Sequence, residues 1–394
     1  MAGRRRATAA LCLVVLLGGC GGAPAPSGPA SAAASDTAAG TASDARAFRA
    51  AVDRRAAALR DRELAEVPLS SFSYRVTRVR RDGDRATAVA ELSYRVAGYD
   101  SGAVTGERTL ELARRDGRWH VTADRPAKGA AEQFWERGQV GVVRGKRSLV
   151  IGTGAGGTPD GARLRAVAAA ADRAVPTVSA AWPERWAGRV VVLVPDSLDA
   201  MGALLGAPAA GYRGIAAVTT GEAGGGPDAP ADRVIVNPEA YEALGAFGQD
   251  MVLAHETAHV ATRVHTSAAT PLWLSEGFAD WVAYRDAGRS AAEAAPELRA
   301  AVRAGATPAS LPSDRDFSFG GDAGALARAY EGGRLACAMI ADRWGEPRLR
   351  AFYRAVGAHG RREGAVEKAL HEVLSTTPEA FTSQWRNHVR EQLG

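Results

Sequence analysis

The segment HETAH, residues 255–259, has the spacing of a metal-binding helix. On an α-helix, residues four apart lie above one another on the same face, so His255 and His259 can direct both imidazoles at one ion. Glu256 is the adjacent residue, and its carboxylate can accept a proton from a water molecule beside that ion. Zinc is the metal that this pattern typically holds. The segment therefore predicts a catalytic Zn²⁺ site with Glu256 as general base.

A catalytic zinc ion needs a third protein ligand, and His265 is one candidate. With His255 and His259 it has the histidine spacing of the metzincin proteases. If the helix continues, however, His265 lies about 120° round the axis from His259 and cannot reach the same ion. A sharp turn at position 262 would bring it back, but a β-branched residue such as Thr262 resists positive φ.

Glu276 is the second candidate for the third ligand. It lies in TPLWLSEGFADWVAY, residues 270–284, which has the apolar stripe of a helix with Thr270 as N-cap and Pro271 as first residue. A glutamate in such an apolar turn is costly unless a cation lies opposite. Asp280 follows one turn later, where it can accept the second N–H of a ligand histidine.

A helix with E-x-x-x-D soon after H-E-x-x-H resembles the gluzincin metallopeptidases, the group of thermolysin and aminopeptidase N. The segment LSEGFADW is most similar to their peptidase MA branch. The resemblance implies that Glu276 completes the zinc site, that Asp280 supports a ligand histidine, and that the substrate is a peptide or protein. It also implies an oxyanion donor, for which Tyr330 is the candidate; a tyrosine packed in a helical core is the alternative. A family edge strand that aligns the substrate corresponds to GIAAVT, residues 214–219.

The elements around the motif predict an α+β fold, with residues 148–394 as a zincin-type domain. Strand-like runs occur at SLVIG, RVVVLV, GIAAVT and RVIVNP, and a long helix is expected from about residue 159 to 182. After Pro238 the pattern is almost wholly helical. Cys337 belongs to one of these helices and is expected to be a small buried apolar residue.

Residues 45–127 have the pattern of a separate α+β domain. An amphipathic helix with Phe48, Val52 and Leu59 on one face precedes four strand-like runs, at 72–80, 86–96, 108–114 and 118–123. Asp82-Gly83 and Asp116-Gly117 interrupt these runs as hairpin turns do. A helix followed by an antiparallel meander resembles the NTF2-like fold. A connecting segment, 128–147, is expected to join this domain to the next.

The N-terminus has the features of a bacterial lipoprotein signal peptide over residues 1–19. Three arginines precede a short apolar run, and LGGC then resembles a lipobox that ends on Cys20. Lipid on Cys20 would anchor the protein to the membrane on its extracytoplasmic face, whereas an ordinary secretory signal would leave this cysteine without a role. Residues 20–44, rich in Gly, Ala, Pro and Ser, are expected to form a flexible linker.

The charge gives no indication of a nucleic-acid partner. The chain has 49 Lys+Arg and 44 Asp+Glu, for a net charge of +5, and the arginines are spread singly among acids. The sequence therefore predicts a membrane-anchored zinc metallopeptidase. The alternative from another class is an anchored binding or assembly factor whose metal site is structural or inactive. The sequence does not predict an oligomeric state.

Overall fold

The computed structural model describes residues 38–221, 229–318 and 322–394. The predicted signal peptide and Cys20 lie outside these ranges. The described chain has the α+β fold that the sequence predicts, with two sheets followed by helices. Within it, no helix combines the length and the apolar character needed to cross a membrane.

The first sheet is an antiparallel meander in the order of the chain, and it has one strand for each predicted run. Its strands are β1 (Leu69–Asp82), β2 (Arg85–Val96), β3 (Val104–Arg115) and β4 (Arg118–Pro126). Asp116 and Gly117, both at positive φ (48° and 73°), form the two-residue turn between β3 and β4, as expected for this dipeptide. The register of this hairpin places the apolar side chains of β2 and β3 on one face of the sheet.

A single long helix packs on this meander. Helix α1 (Ala38–Ala58) begins within the segment expected to be a linker, so the linker prediction is wrong for residues 38–44. Phe48 and Val52 are buried, as the predicted apolar face requires, and Leu59 is buried in the helical turn that follows α1. The helix completes the small domain that the sequence predicts.

The second sheet has five strands in the order β5-β6-β7-β9-β8. They are β5 (Gln139–Arg144), β6 (Ser148–Gly154), β7 (Val190–Val194), β8 (Ala217–Thr220) and β9 (Arg233–Val236). The three central strands are parallel, and β5 and β8 are antiparallel edges. Strand β5 lies within the segment expected to be a connector; its short QVGVVR run pairs with β6, so residues 139–144 belong to the second sheet.

The remaining described elements are helical, as predicted for the chain after Pro238. They are α2 (Gly161–Ala181), α3 (Leu198–Leu205), α4 (Pro238–Glu242), α5 (Gly245–Thr262), α6 (Leu272–Tyr284), α7 (Ala291–Ala294), α8 (Pro296–Arg303), α9 (Ala323–Trp344), α10 (Glu346–Gly357), α11 (Ala365–Leu374) and α12 (Pro378–Leu393). Residues of α2, α5 and the parallel strands share one buried cluster. Cys337 is completely buried in α9, as expected.

Helix α6 does not begin as the sequence predicts. Pro271, not Thr270, is its N-cap residue and keeps an extended backbone. The Thr270 hydroxyl instead accepts a hydrogen bond from the amide of Ser267, 3.2 Å away. The first amide of the helix donates to Asp314, a carboxylate remote in sequence, so tertiary structure satisfies the donor that a local cap would have satisfied.

A buried ion pair joins the two sheets. The carboxylate of Asp100, between β2 and β3, accepts hydrogen bonds from the Arg233 guanidinium at 2.8 Å and from the Ala231 amide at 3.0 Å. The Asp100 side chain is fully buried. The N-terminal domain is therefore fixed to the start of β9.

Candidate metal centre

Helix α5 brings the two histidines of the motif together. They lie one turn apart on its buried face, and their Nε2 atoms are 3.0 Å apart. His255 is 1% exposed and His259 5%. The helical period therefore places both imidazoles at one point.

Glu276 reaches the same point from α6. Its Oε2 atom lies 3.3 Å from Nε2 of His255 and 3.6 Å from Nε2 of His259. The side chain is buried, and neither carboxylate oxygen accepts a well-formed hydrogen bond from the described part of the chain. Such a buried carboxylate is costly without a cation. The buried group of His255, His259 and Glu276 could hold a metal ion.

Asp280 fixes the orientation of His255. Its Oδ1 lies 2.8 Å from Nδ1 of that ring, on the side away from Glu276. Burial acts to lower the pKa of His255, but the contacts with Asp280 and Glu276 outweigh burial and raise it well above its ordinary value. Burial lowers the pKa of His259. Burial also acts to raise the pKa of Glu276, yet attraction to the two histidines lowers it to about 2.

His265 lies apart from this group. The backbone at Thr262 stays right-handed, with φ −87° and ψ −5°, so the chain makes no positive-φ turn there. His265 ends the short 3₁₀ turn that follows α5, and its ring packs against Trp182 with centroids 5.5 Å apart. His265 belongs to an aromatic contact, and Glu276 is the residue whose carboxylate lies beside the Nε2 atoms of both histidines.

Glu256 lies beside the group of His255, His259 and Glu276 without belonging to it. Its Oε2 accepts a hydrogen bond of 2.6 Å from the hydroxyl of Thr219 in β8. Its Oε1 has no hydrogen-bond partner among the described residues. Burial raises the pKa of Glu256 to about 7, although the neighbouring charge on His255 and the Thr219 hydroxyl act to lower it. A carboxyl group with such a pKa can both accept and return a proton near neutral pH.

Tyr330 approaches the centre from α9. Its ring centroid is 6.3 Å from that of His255 and 5.1 Å from that of Phe317, and the residue is buried. The structure therefore places the predicted tyrosine beside His255.

Two glycines set the distance between α6 and α9. A Cβ atom added to Gly277 would lie 2.9 Å from Cα of Gly333 and closer still to its carbonyl group. A Cβ atom added to Gly333 would lie 2.7 Å from the carbonyl oxygen of Trp273. The two backbones are thus nearly in contact at the residue next to Glu276, which places the Glu276 and Tyr330 helices against each other.

Thr219 is the residue of this site that the sequence reasoning missed. The GIAAVT run is expected to form an edge strand, and β8 does end the second sheet, but the sequence predicts no role for its threonine. A polar residue next to an apolar run was the available indication. The side chain of Thr219 is completely buried, so its hydroxyl needs a partner inside the protein.

No protein-family model matches the chain, and no curated protein matches it either.

Proposed function

We propose that the protein is a zinc-dependent peptidase that hydrolyses peptide bonds with Glu256 as general base. The observation that carries this proposal is the spacing of the three ligand atoms. Two ligand atoms on one tetrahedral zinc ion, each about 2.0–2.1 Å from it, lie about 3.3 Å apart. The three separations here are 3.0, 3.3 and 3.6 Å.

Three ligands leave one coordination position open, as catalytic zinc requires. When bound, zinc supplies a Lewis acid that polarises a peptide carbonyl and acidifies water. Glu256 would take the proton from that water and return it to the leaving amine, which its pKa of about 7 favours. Tyr330 would donate a hydrogen bond to the oxyanion that develops on the substrate. Asp280 would hold the His255 ring in the orientation for binding.

An extended substrate would pair with β8, the antiparallel edge of the second sheet. Ala217, Val218 and Thr219 are completely buried, so a peptide reaches this edge only when the residues that cover it move. We therefore propose that the substrate is an unfolded or extended polypeptide segment, because only such a segment can lie along a strand.

The proposed location is the extracytoplasmic face of the cell membrane, with lipid on Cys20 as anchor. The support is the sequence LGGC, which lies outside the described residues. The mass of the mature N-terminal peptide tests this part of the proposal, since an unmodified Cys20 would contradict it.

The peptidase proposal is tested by Glu256→Gln, which keeps the shape of the side chain but removes the base. We expect full zinc stoichiometry and a kcat lower by ~10²–10⁴-fold on a library of internally quenched peptides. Glu367→Gln, an exposed change on α11, is the matched control and should leave kcat unchanged. Zinc-loaded wild-type protein that cleaves nothing in the library would overturn the proposal and favour the anchored binding factor.

A further inference from the structure

The hydroxyl of Thr219 donates a hydrogen bond to Glu256. This bond joins neither two of the candidate metal ligands nor two strands of the sheet. The Thr219 hydroxyl lies 2.6 Å from Oε2 of Glu256 and 3.2 Å from the backbone oxygen of the same residue. Both Thr219 and Glu256 are 0% exposed, so no bulk water competes for this hydrogen bond. The shorter contact makes the carboxylate oxygen the main acceptor.

The bond makes the two oxygens of Glu256 unequal. Oε2 is held by Thr219, whereas Oε1 has no hydrogen-bond partner within the described ranges. A carboxylate held at one oxygen cannot rotate freely about its last torsion, which is otherwise broad. The remaining oxygen is then presented in one direction only.

We propose that Thr219 is a positioning residue that holds Oε2 of Glu256, so that Oε1 alone is directed to the proton that the base removes. This inference rests on the proposed function. A group held in its productive geometry avoids the rate loss that a displacement of about 1 Å brings, on the order of a hundredfold. Thr219 itself touches neither the ligand atoms nor the reacting proton in this arrangement.

The main-chain groups of Thr219 face the outer edge of strand β8. The amide of Asn237 donates to the carbonyl of Ala216 at 2.8 Å, which makes these two residues a hydrogen-bonded pair of the antiparallel ladder. Since such pairs alternate along a strand, the N–H and C=O groups of Thr219 point away from β9. A peptide that paired with this edge, once the residues that cover it had moved, would therefore bind the main chain of Thr219, the residue whose side chain holds the base.

The test compares Thr219→Val, which removes the hydroxyl at nearly constant volume, with Thr219→Ser, which retains it. Thr122→Val is the matched control, because the Thr122 hydroxyl lies on β4 of the first sheet and bonds the backbone oxygen of Glu111. In zinc-loaded protein we expect Thr219→Val to lower kcat about ten- to a hundredfold with KM unchanged. Thr219→Ser should restore kcat, and Thr122→Val should not lower it.

A second measurement does not depend on activity. Crystal structures of the metal-free variants should show one Glu256 conformation in the wild type and in Thr219→Ser, and more than one in Thr219→Val. The inference is overturned if Glu256 keeps a single conformation in Thr219→Val or if kcat is unchanged. It is also overturned if kcat falls only because the variant binds less zinc. If zinc-loaded wild type is inactive, the peptidase proposal fails, while the conformations of Glu256 still decide the role of Thr219. If Thr219→Val does not fold, Thr219→Ala serves in its place.

Discussion

Replacement of Gly277 by alanine tests whether the crossing of α6 and α9 fixes the metal site. The added Cβ atom would lie 2.9 Å from Cα of Gly333, whereas ordinary contact begins at 3.4 Å. Because the carbonyl group of Gly333 lies closer still to that Cβ atom, the helices must separate by more than the difference of about 0.5 Å between 3.4 and 2.9 Å. Ligand distances in a well-formed metal site stay within about 0.2 Å of their standard values, so a larger shift of the helix disturbs the site. Because Glu276 is the preceding residue of α6, we expect Gly277→Ala to weaken zinc binding about ten- to a hundredfold.

The same substitution changes stability in two opposing ways. Overpacking costs about 1–3 kcal/mol, and alanine in place of glycine in a helix returns about 0.5–1 kcal/mol. The free energy of unfolding of the metal-free protein should therefore fall by at most ~2.5 kcal/mol. Zinc affinity from competition with a chelator, together with denaturant unfolding of the metal-free protein, measures both effects.

Gly324→Ala in α9 is the control for this experiment. Its added Cβ atom would meet the flexible end of Arg328 at 3.2 Å and, at the ordinary contact distance of 3.5 Å, the side chain of Asp322, so zinc affinity should not change. If Gly277→Ala binds zinc as tightly as the wild type, the close approach of the two helices does not fix Glu276 and the reasoning is refuted.

Three further predictions concern the ligands. Asp280→Ala should weaken zinc binding about ten- to a hundredfold, because the His255 ring loses its partner; chelator competition measures it, and an unchanged affinity would contradict the role of Asp280. Zinc stoichiometry should fall in Glu276→Ala and stay at one in His265→Ala, and the reverse result would restore His265 as the ligand. The raised pKa of His255 means that its imidazole keeps a proton in the metal-free protein. This proton stabilises the metal-free fold below about pH 6.5, and the stabilisation is lost as pH rises through the folded pKa. Zinc must displace this proton, so affinity should rise with pH until that pKa is passed. Calorimetry in two buffers of different ionisation enthalpy should find one proton released at lower pH, and no release would contradict the assignment.

The elements that carry the site could be predicted because their signals are local. Two Asp-Gly turns and alternating apolar residues set the meander, and the four-residue spacing of His255 and His259 sets the face of α5. Glu276 could be predicted because a buried acid in an apolar turn needs a cation nearby. That Glu276 lies beside the two histidines could be expected only from the resemblance to the gluzincins, because no local sequence pattern gives the distance between two helices.

What could not be predicted depends on long-range contacts. Strand β5 has only six residues and is identified by its pairing with β6. The N-terminus of α6 is capped by Asp314, which lies far along the chain. The Thr219 hydroxyl can bond Glu256 only because β8 and α5 pack together. The glycines at 277 and 333 matter only because α6 and α9 cross at these two residues.

The Asp100 ion pair bears on how the protein can mature. An N-terminal domain before a domain that we propose to be a peptidase invites comparison with a propeptide that is cut away. Loss of this domain would leave Arg233, itself largely buried, without its counterion, and would leave the Ala231 amide without its acceptor. Breaking a buried pair costs about 3–5 kcal/mol where the remaining charge stays buried, and less where removal of the domain opens that charge to water. A chain shortened to the second domain alone is therefore expected to be less stable than the whole chain.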